Sequence, residues 1–229
     1  LTPANSINLG RLLPQVFYYF LLTELAFDAL EAGSGLVVSV PSGNFGNLTA
    51  GLIAKRIGLP IARFVASTNV NDVVPQYLET GAYHPRASVR TVANAMDVGA
   101  PSNFERMRAM YGDRIEVLRA DMSGASFDDD TVVREIGDVY ARHRYLLDPH
   151  AAIGWLGLRL VLAGLGAGTP GVFLATAHPA KFREVVEPAI GSPVVLPPVL
   201  AEALTRPRHS ESLDVDYAAL KTLLLSYSR

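Results

Sequence analysis

From Val37 to Gly51 the chain reads VVSVPSGNFGNLTAG, an apolar run that passes through a polar, glycine-bracketed turn into residues with helical spacing. Gly43 and Gly46 permit positive φ and keep side chains out of the way of an approaching ligand. Ser42, Asn44 and Asn47 offer side-chain hydrogen bonds, and Phe45 completes the loop. A helix starting here leaves its first N–H groups without helical acceptors and turns its positive dipole end on the loop, which favours an anion. No Lys or Arg lies within the loop, unlike a Walker A motif, whose lysine acts on a phosphate in transfer. A neutral cradle suits a phosphate that stays bound. The same residues also fit a plain strand-to-helix turn with a Gly-Asn cap.

Other polar groups fall at comparable places. Asn5, Ser6, Asn8 and Arg11 open the first helical stretch, either beside a ligand or as a helix cap with an exposed arginine. Ser67, Thr68, Asn69, Asn71 and Asp72 follow a second strand and so share the loop's edge of the sheet, although Asn71 or Asp72 fits equally as a cap. Ser102, Asn103 and Arg106 mark one more helix start able to take an anion; Ser102 and Glu105 have capping-box spacing, and capping is the reading adopted there. The histidines (His84, His143, His150, His178 and His209) show no metal-ligand spacing, and no metal site is expected. Absence of cysteine excludes disulfides and thiolate ligands or nucleophiles.

The elements that must carry these groups alternate. Leu9 to Leu30 has helical spacing, with Leu13, Phe17, Phe20, Leu21 and Leu25 as the apolar recurrence and Gly33 as the stop. GLVVSV (Gly35 to Val40) reads as a buried parallel strand, and NLTAGLIAKRIG as a helix closed by Gly58. IARFVAST, RIEVLRA and GVFLATAH read as further strands. NDVVPQYLETG, SNFERMRAMYG, Asp130 to His143, AAIGWLGLRLVLAG and AKFREVVEPAIG read as helices, and Tyr83 to Ala100 as irregular. The expectation is a doubly wound α/β fold with a mostly parallel sheet and ligands at the carboxyl ends of its strands. Residues 1–229 are taken as a single α/β unit in which 192–229 form a proline-rich tail with a short amphipathic helix near Tyr217 to Leu225. Ser192 to Pro198 is the most linker-like stretch.

Composition narrows the partners. A net charge of −2 gives no reason to expect nucleic acid or a membrane surface. No run reaches the roughly 18 apolar residues of a membrane helix. No cleavable signal is visible, so a soluble cytoplasmic protein is the default expectation. The chain starts at Leu1 rather than Met, which leaves open that it belongs to something longer.

Six blocks carry a resemblance: ANSINLGRLLPQ, VPSGNFGNLTAG, STNVNDVVPQYLETGAY, ANAMDVGAPSNFER, DPHAAIG and ATAHPAKF. In this order and spacing, from Ala4 to about Glu187, they resemble the successive blocks of threonine synthase, a pyridoxal 5'-phosphate family of the tryptophan-synthase-β-like fold (fold type II). The resemblance implies that Ser42 to Asn47 hold the cofactor phosphate and that Thr176 faces the pyridine nitrogen. A neutral hydroxyl there makes the ring a milder electron sink than a carboxylate would. It further implies that the block from Asn5 to Arg11 lies near cofactor and substrate; Asn69, Asn71 and Asp72 are candidates to line the site by their place after the second strand, and His150 and His178, which sit in these blocks, are expected to have structural roles or to stand behind the ligand contacts. Two positions depart from the family pattern: Pro3 stands where a serine is expected, and Ala151 where a hydroxyl residue is common.

The implied reaction converts O-phosphohomoserine and water to threonine and phosphate, and it needs a Schiff-base lysine that also shuttles protons. The chain holds three lysines. Lys55 lies near the far end of the helix after the loop, Lys181 has no Schiff-base role in its block, and Lys221 fits the polar face of the last helix. The family's lysine lies upstream of the NSIN block. The expectation is therefore a C-terminal half of a threonine synthase with no catalytic lysine, inactive alone, whose uncovered apolar surface favours self-association. Two other readings stand beside it. One is a related lyase or dehydratase acting on serine or threonine, against which TNVNDVVP and AMDVGAPSNFER speak. The other is a phosphate- or cofactor-binding fragment without catalysis.

Overall fold

A computed structural model describes residues 5–26, 35–166, 168–207 and 210–227. The expectations at residues 27–30, Gly33, Pro3, Ala4 and His209 lie outside the described residues. These divide into two compact units, Leu1–Val194 and Val195–Arg229.

The first unit is built on four strands: β1 (Leu36–Pro41), β2 (Ile61–Thr68), β3 (Met122–Ser126) and β4 (Gly171–Phe173). They are ordered β3-β2-β1-β4 and all pair in parallel. Every residue of β1 is buried, because helices cover both faces of the sheet. Alternate side chains go to opposite layers. Val38, Val40, Phe64 and Ala66 join Leu12 of α1 (Leu9–Leu25) and Leu48 and Leu52 of α2 (Gly46–Ile57) in one core. On the other face Val37, Val65 and Ala125 meet Leu158 of α7 (Pro149–Ala163). Ser39 pins that layer, since its hydroxyl donates to the Gly154 carbonyl at 2.6 Å and lies 2.8 Å from Ser67 Oγ.

The remaining elements of this unit are α3 (Val73–Thr80), a 3-10 turn Asn94–Met96, α4 (Asn103–Met110), α5 (Ile115–Asp121), α6 (Asp129–His143), a 3-10 turn Pro179–Phe182 and α8 (Arg183–Ile190). The second unit holds α9 (Pro198–Thr205), which the sequence reading did not anticipate, and α10 (Tyr217–Ser226). Neither helix has a buried residue. Within that unit Asp216 caps α10 and the Tyr227 hydroxyl donates to Glu211.

Three local expectations are corrected. RIEVLRA is a helix, α5, and the strand is the following MSGAS. Small residues occupy that strand because α3 lies directly on it: a Cβ on Gly124 would sit 2.7 Å from the Pro75 Cα. The strand read in GVFLATAH stops at Phe173. Finally, α1 turns a different face to the core. Leu12, Val16 and Tyr19 are buried, whereas Leu13, Phe17, Phe20, Leu21 and Leu25 are 43–90% exposed. This helix is apolar nearly all round, so spacing cannot tell which stripe packs. The decisive contact is polar: Tyr19 donates to the carbonyl and side-chain oxygens of Asn47 at 3.0 and 2.8 Å.

Candidate active site

At the carboxyl end of β1 the sheet edge extends one residue, as Ser42 N–H donates to the Ser67 carbonyl at 2.8 Å. The Ser42 hydroxyl turns back onto Val40 O. Gly43 then passes so close to the 3-10 turn that a Cβ would lie 2.7 Å from the Met96 Cα. Phe45 takes a left-handed φ of 61° and serves as N-cap of α2 without a side-chain cap bond. The first N–H groups of α2 have no helical acceptor and no capping side chain of Phe45, and they face the loop. Tyr19, whose phenol burial holds far above its ordinary pKa, remains a neutral donor under Asn47.

A clamp holds this loop from outside. Asn103, fully buried at the start of α4, donates through Nδ2 to the carbonyls of Ser6 and Asn44, each at 3.0 Å. Arg106 donates to Asn103 Oδ1 and to Ile7 O. Asn44 in turn bonds Ser6 Oγ at 2.6 Å and accepts the Ser102 N–H at 2.7 Å. Ser102 therefore makes no capping box: it is already helical, with φ −66° and ψ −27°, it makes no side-chain cap bond, and its hydroxyl belongs to Asn44.

The loop opens on a cavity of about 950 Å³. Ser42 to Asn47 line it together with Thr176, Ser6, Arg11 and His150. Thr176 reaches the cavity because β4 pairs beside β1 and the chain continues past Leu174, whose N–H donates to Ser39 O. Other candidates are spent elsewhere. Asn5 accepts Ile7 N–H and Asn8 accepts Gly10 N–H as cap of α1. Asn69 and Asn71 are buried in a network with Thr91, Asp97 and Val89 that fixes the 89–97 segment to the end of β2. Asp72 holds Arg86 and Gln76. None of these five lines the cavity.

Lys55 bridges Asp121 and donates to Ala62 O, both at 2.8 Å; Lys181 and Lys221 are exposed; neither Lys55 nor Lys181 lines the cavity. His178 caps the second 3-10 turn. Among the described residues no three His, Asp or Glu side chains are grouped to hold a metal ion, and no helix is long and apolar enough to cross a membrane. Sequence reasoning overlooked Asn103 as a clamp, and it did not pair His150, which lines the cavity, with Asp148. The one available signal for the pair was the place of Asp148, two residues earlier at a helix start.

Comparison with known proteins places this arrangement. Residues 151–224 match the family model for threonine synthase, C-terminal. Threonine synthase of Escherichia coli K12 is 45% identical over 99% of this chain and 51% of its own length. The crystal structure of the Escherichia coli threonine synthase superposes with a TM-score of 0.85 at 44% identity, covering 98% of this chain and 51% of that one. A pyridoxal-phosphate-bound threonine synthase from Brucella melitensis gives 0.88 at 33% identity, over 100% of this chain and 53% of that one. The chain spans about half the length of the curated relatives it matches. Along nearly its whole length the chain is similar in sequence and in fold to about half of a threonine synthase, and residues 151–224 match that family's C-terminal model.

Proposed function

We propose that this chain is the cofactor-phosphate-bearing half of a pyridoxal-phosphate-dependent threonine synthase, which converts O-phosphohomoserine and water to threonine and phosphate. The observation that carries this reading is that the neutral loop Ser42 to Asn47 and Thr176 line one cavity at the carboxyl ends of adjacent parallel strands. The fit to a phosphate is physical. A side chain at Gly43 would collide with the backbone of Ala95 and Met96, which line the same cavity, α2 begins without a capping side chain, and no cation in the loop would pull on a leaving phosphate.

Bound there, the cofactor supplies the electron sink that the amino-acid chemistry requires. The chain's own residues bind and orient. Backbone N–H groups at the start of α2 would take the phosphate, while the side chains of Ser42 and Asn44 hold the loop's shape. The Thr176 hydroxyl, which lines the same cavity, would hydrogen-bond the ring nitrogen without charging it. Ser6 and Arg11 present polar groups from the α1 side toward the substrate. Neither Lys55 nor Lys181 lines the cavity, and by this reading proton shuttling falls to a lysine outside this chain. By the same reading the exposed apolar stripe of α1 draws two copies of the isolated chain together.

The test compares this chain alone with the full-length protein that carries it. The full-length protein is expected to release phosphate from O-phosphohomoserine, and the chain alone to release none. Turnover by the chain alone, with a borohydride-reduced pyridoxyl adduct on Lys55, Lys181 or Lys221, would refute the assignment.

A further inference from the structure

α7 opens at the cavity with a buried pair to which the proposed chemistry gives no task. Asp148, the N-cap of α7, accepts the backbone N–H of His150 at 2.9 Å and, through the same Oδ1, stands 2.8 Å from the ring Nδ1. Their side chains are 1% and 3% exposed. A carboxylate oxygen only accepts, so Nδ1 carries a proton, and in the neutral ring Nε2 then presents a bare lone pair. That nitrogen is buried and has no hydrogen-bond partner among the described residues, and His150 is one of the residues that line the 950 Å³ cavity. Asp148 Oδ2 is orphaned as well.

Capping accounts for the aspartate but not for the imidazole, because a cap requires only the backbone N–H of residue 150. Packing does not account for it either. The ring lies against Phe182 with centroids 4.9 Å apart, a site that a phenyl group would fill without burying a nitrogen. A buried orphan acceptor of this kind calls for a partner that arrives with a ligand.

We propose that His150 is a ligand contact, its Nε2 accepting a hydrogen bond from an O–H or N–H group of the molecule that fills the cavity. Asp148 is the positioning residue that fixes the tautomer. A phosphate dianion brings no donor, so this contact is separate from the loop that takes the phosphate. Cofactor and amino-acid substrate both bring donors, as hydroxyl or ammonium groups. The inference rests on the proposed function.

The test uses the full-length protein with His150→Phe, His150→Gln and Asp148→Ser. Ser caps a helix about as well as Asp but is too short to hold Nδ1. Pyridoxal phosphate affinity is measured by equilibrium dialysis of the apoprotein, and substrate contact by KM for O-phosphohomoserine and the Kd of an unreactive phosphonate analogue. His150→Phe is expected to weaken one of the two ligands at least tenfold, and the ligand affected identifies which one brings the donor. His150→Gln, whose amide oxygen can replace the lone pair, recovers part of the loss. Asp148→Ser falls between them, and its melting temperature stays near that of the parent. Changes within twofold on both ligands overturn the proposal, as do losses that follow a falling melting temperature in all three variants. If the unsubstituted protein takes up no pyridoxal phosphate, the functional reading itself fails and this proposal with it. If it binds and His150→Phe binds equally well, the proposal alone fails.

Discussion

Replacing Asn103 by alanine removes the clamp on the phosphate loop and leaves every residue of the loop in place. The side chain is fully buried and spans two segments distant in sequence, through bonds to the carbonyls of Ser6 and Asn44. Each amide–carbonyl bond contributes about 0.5–1.5 kcal/mol, and the abandoned carbonyls add a desolvation penalty, so the loss should be about 2–4 kcal/mol. Arg106 loses one of its acceptors at the same time. With an m-value of about 2 kcal/mol/M in urea, the unfolding midpoint of the chain should fall by about 1–2 M. Without its carbonyl anchored, Asn44 no longer holds the strained Phe45 that follows it in the left-handed region. Phosphate-ligand affinity in the full-length protein should therefore fall together with stability. A midpoint shift below about 0.5 M, on the same m-value scale, would mean that the loop keeps its shape unaided and that the clamp reasoning is wrong.

Two further outcomes follow from the same structure. Glu187 accepts the Val194 N–H and a bond from Arg183, which hold its carboxyl below the usual range. A lowered native pKa stabilises above the ordinary glutamate range and is lost as pH falls through the native value. Glu187→Gln should therefore lower stability at neutral pH and converge with the parent at acid pH, which flattens the acid limb of a stability–pH curve; an unaltered acid limb would dismiss the contact. The isolated chain should also show a weight-average mass that rises with concentration in light scattering, and Leu13→Glu with Phe17→Glu on the exposed stripe of α1 should suppress the rise. A monomer at every concentration would contradict that expectation.

The site's legibility in the sequence followed the range of its interactions. The loop was readable because its chemistry is local: glycines, small polar residues and a helix start lie within a few positions of one another. Long-range partners were not. Asn103 lies 59 residues from the carbonyl it holds, and nothing in SNFERMR distinguishes a clamp from a cap. Asn69 and Asn71 stand at the edge of the sheet where ligands bind, yet the 89–97 segment claims their amides, a pairing that only the folded chain reveals. MSGAS carries almost no strand propensity, because close approach of α3 selected small residues over β-branched ones. In α1 the apolar periodicity was real, but it marked a stripe that this chain leaves uncovered.

The strand order has a consequence in time. β4 pairs directly with β1, although roughly 130 residues of chain are made between them. As the polypeptide leaves the ribosome, the loop after β1 can meet α2 and β2 early, while Thr176 joins it only when the far side of the sheet zips on. A half-made chain thus carries the loop with one wall of its cavity missing. By the proposed function, ligand retention would begin only when that wall arrives, so that binding would report completed folding.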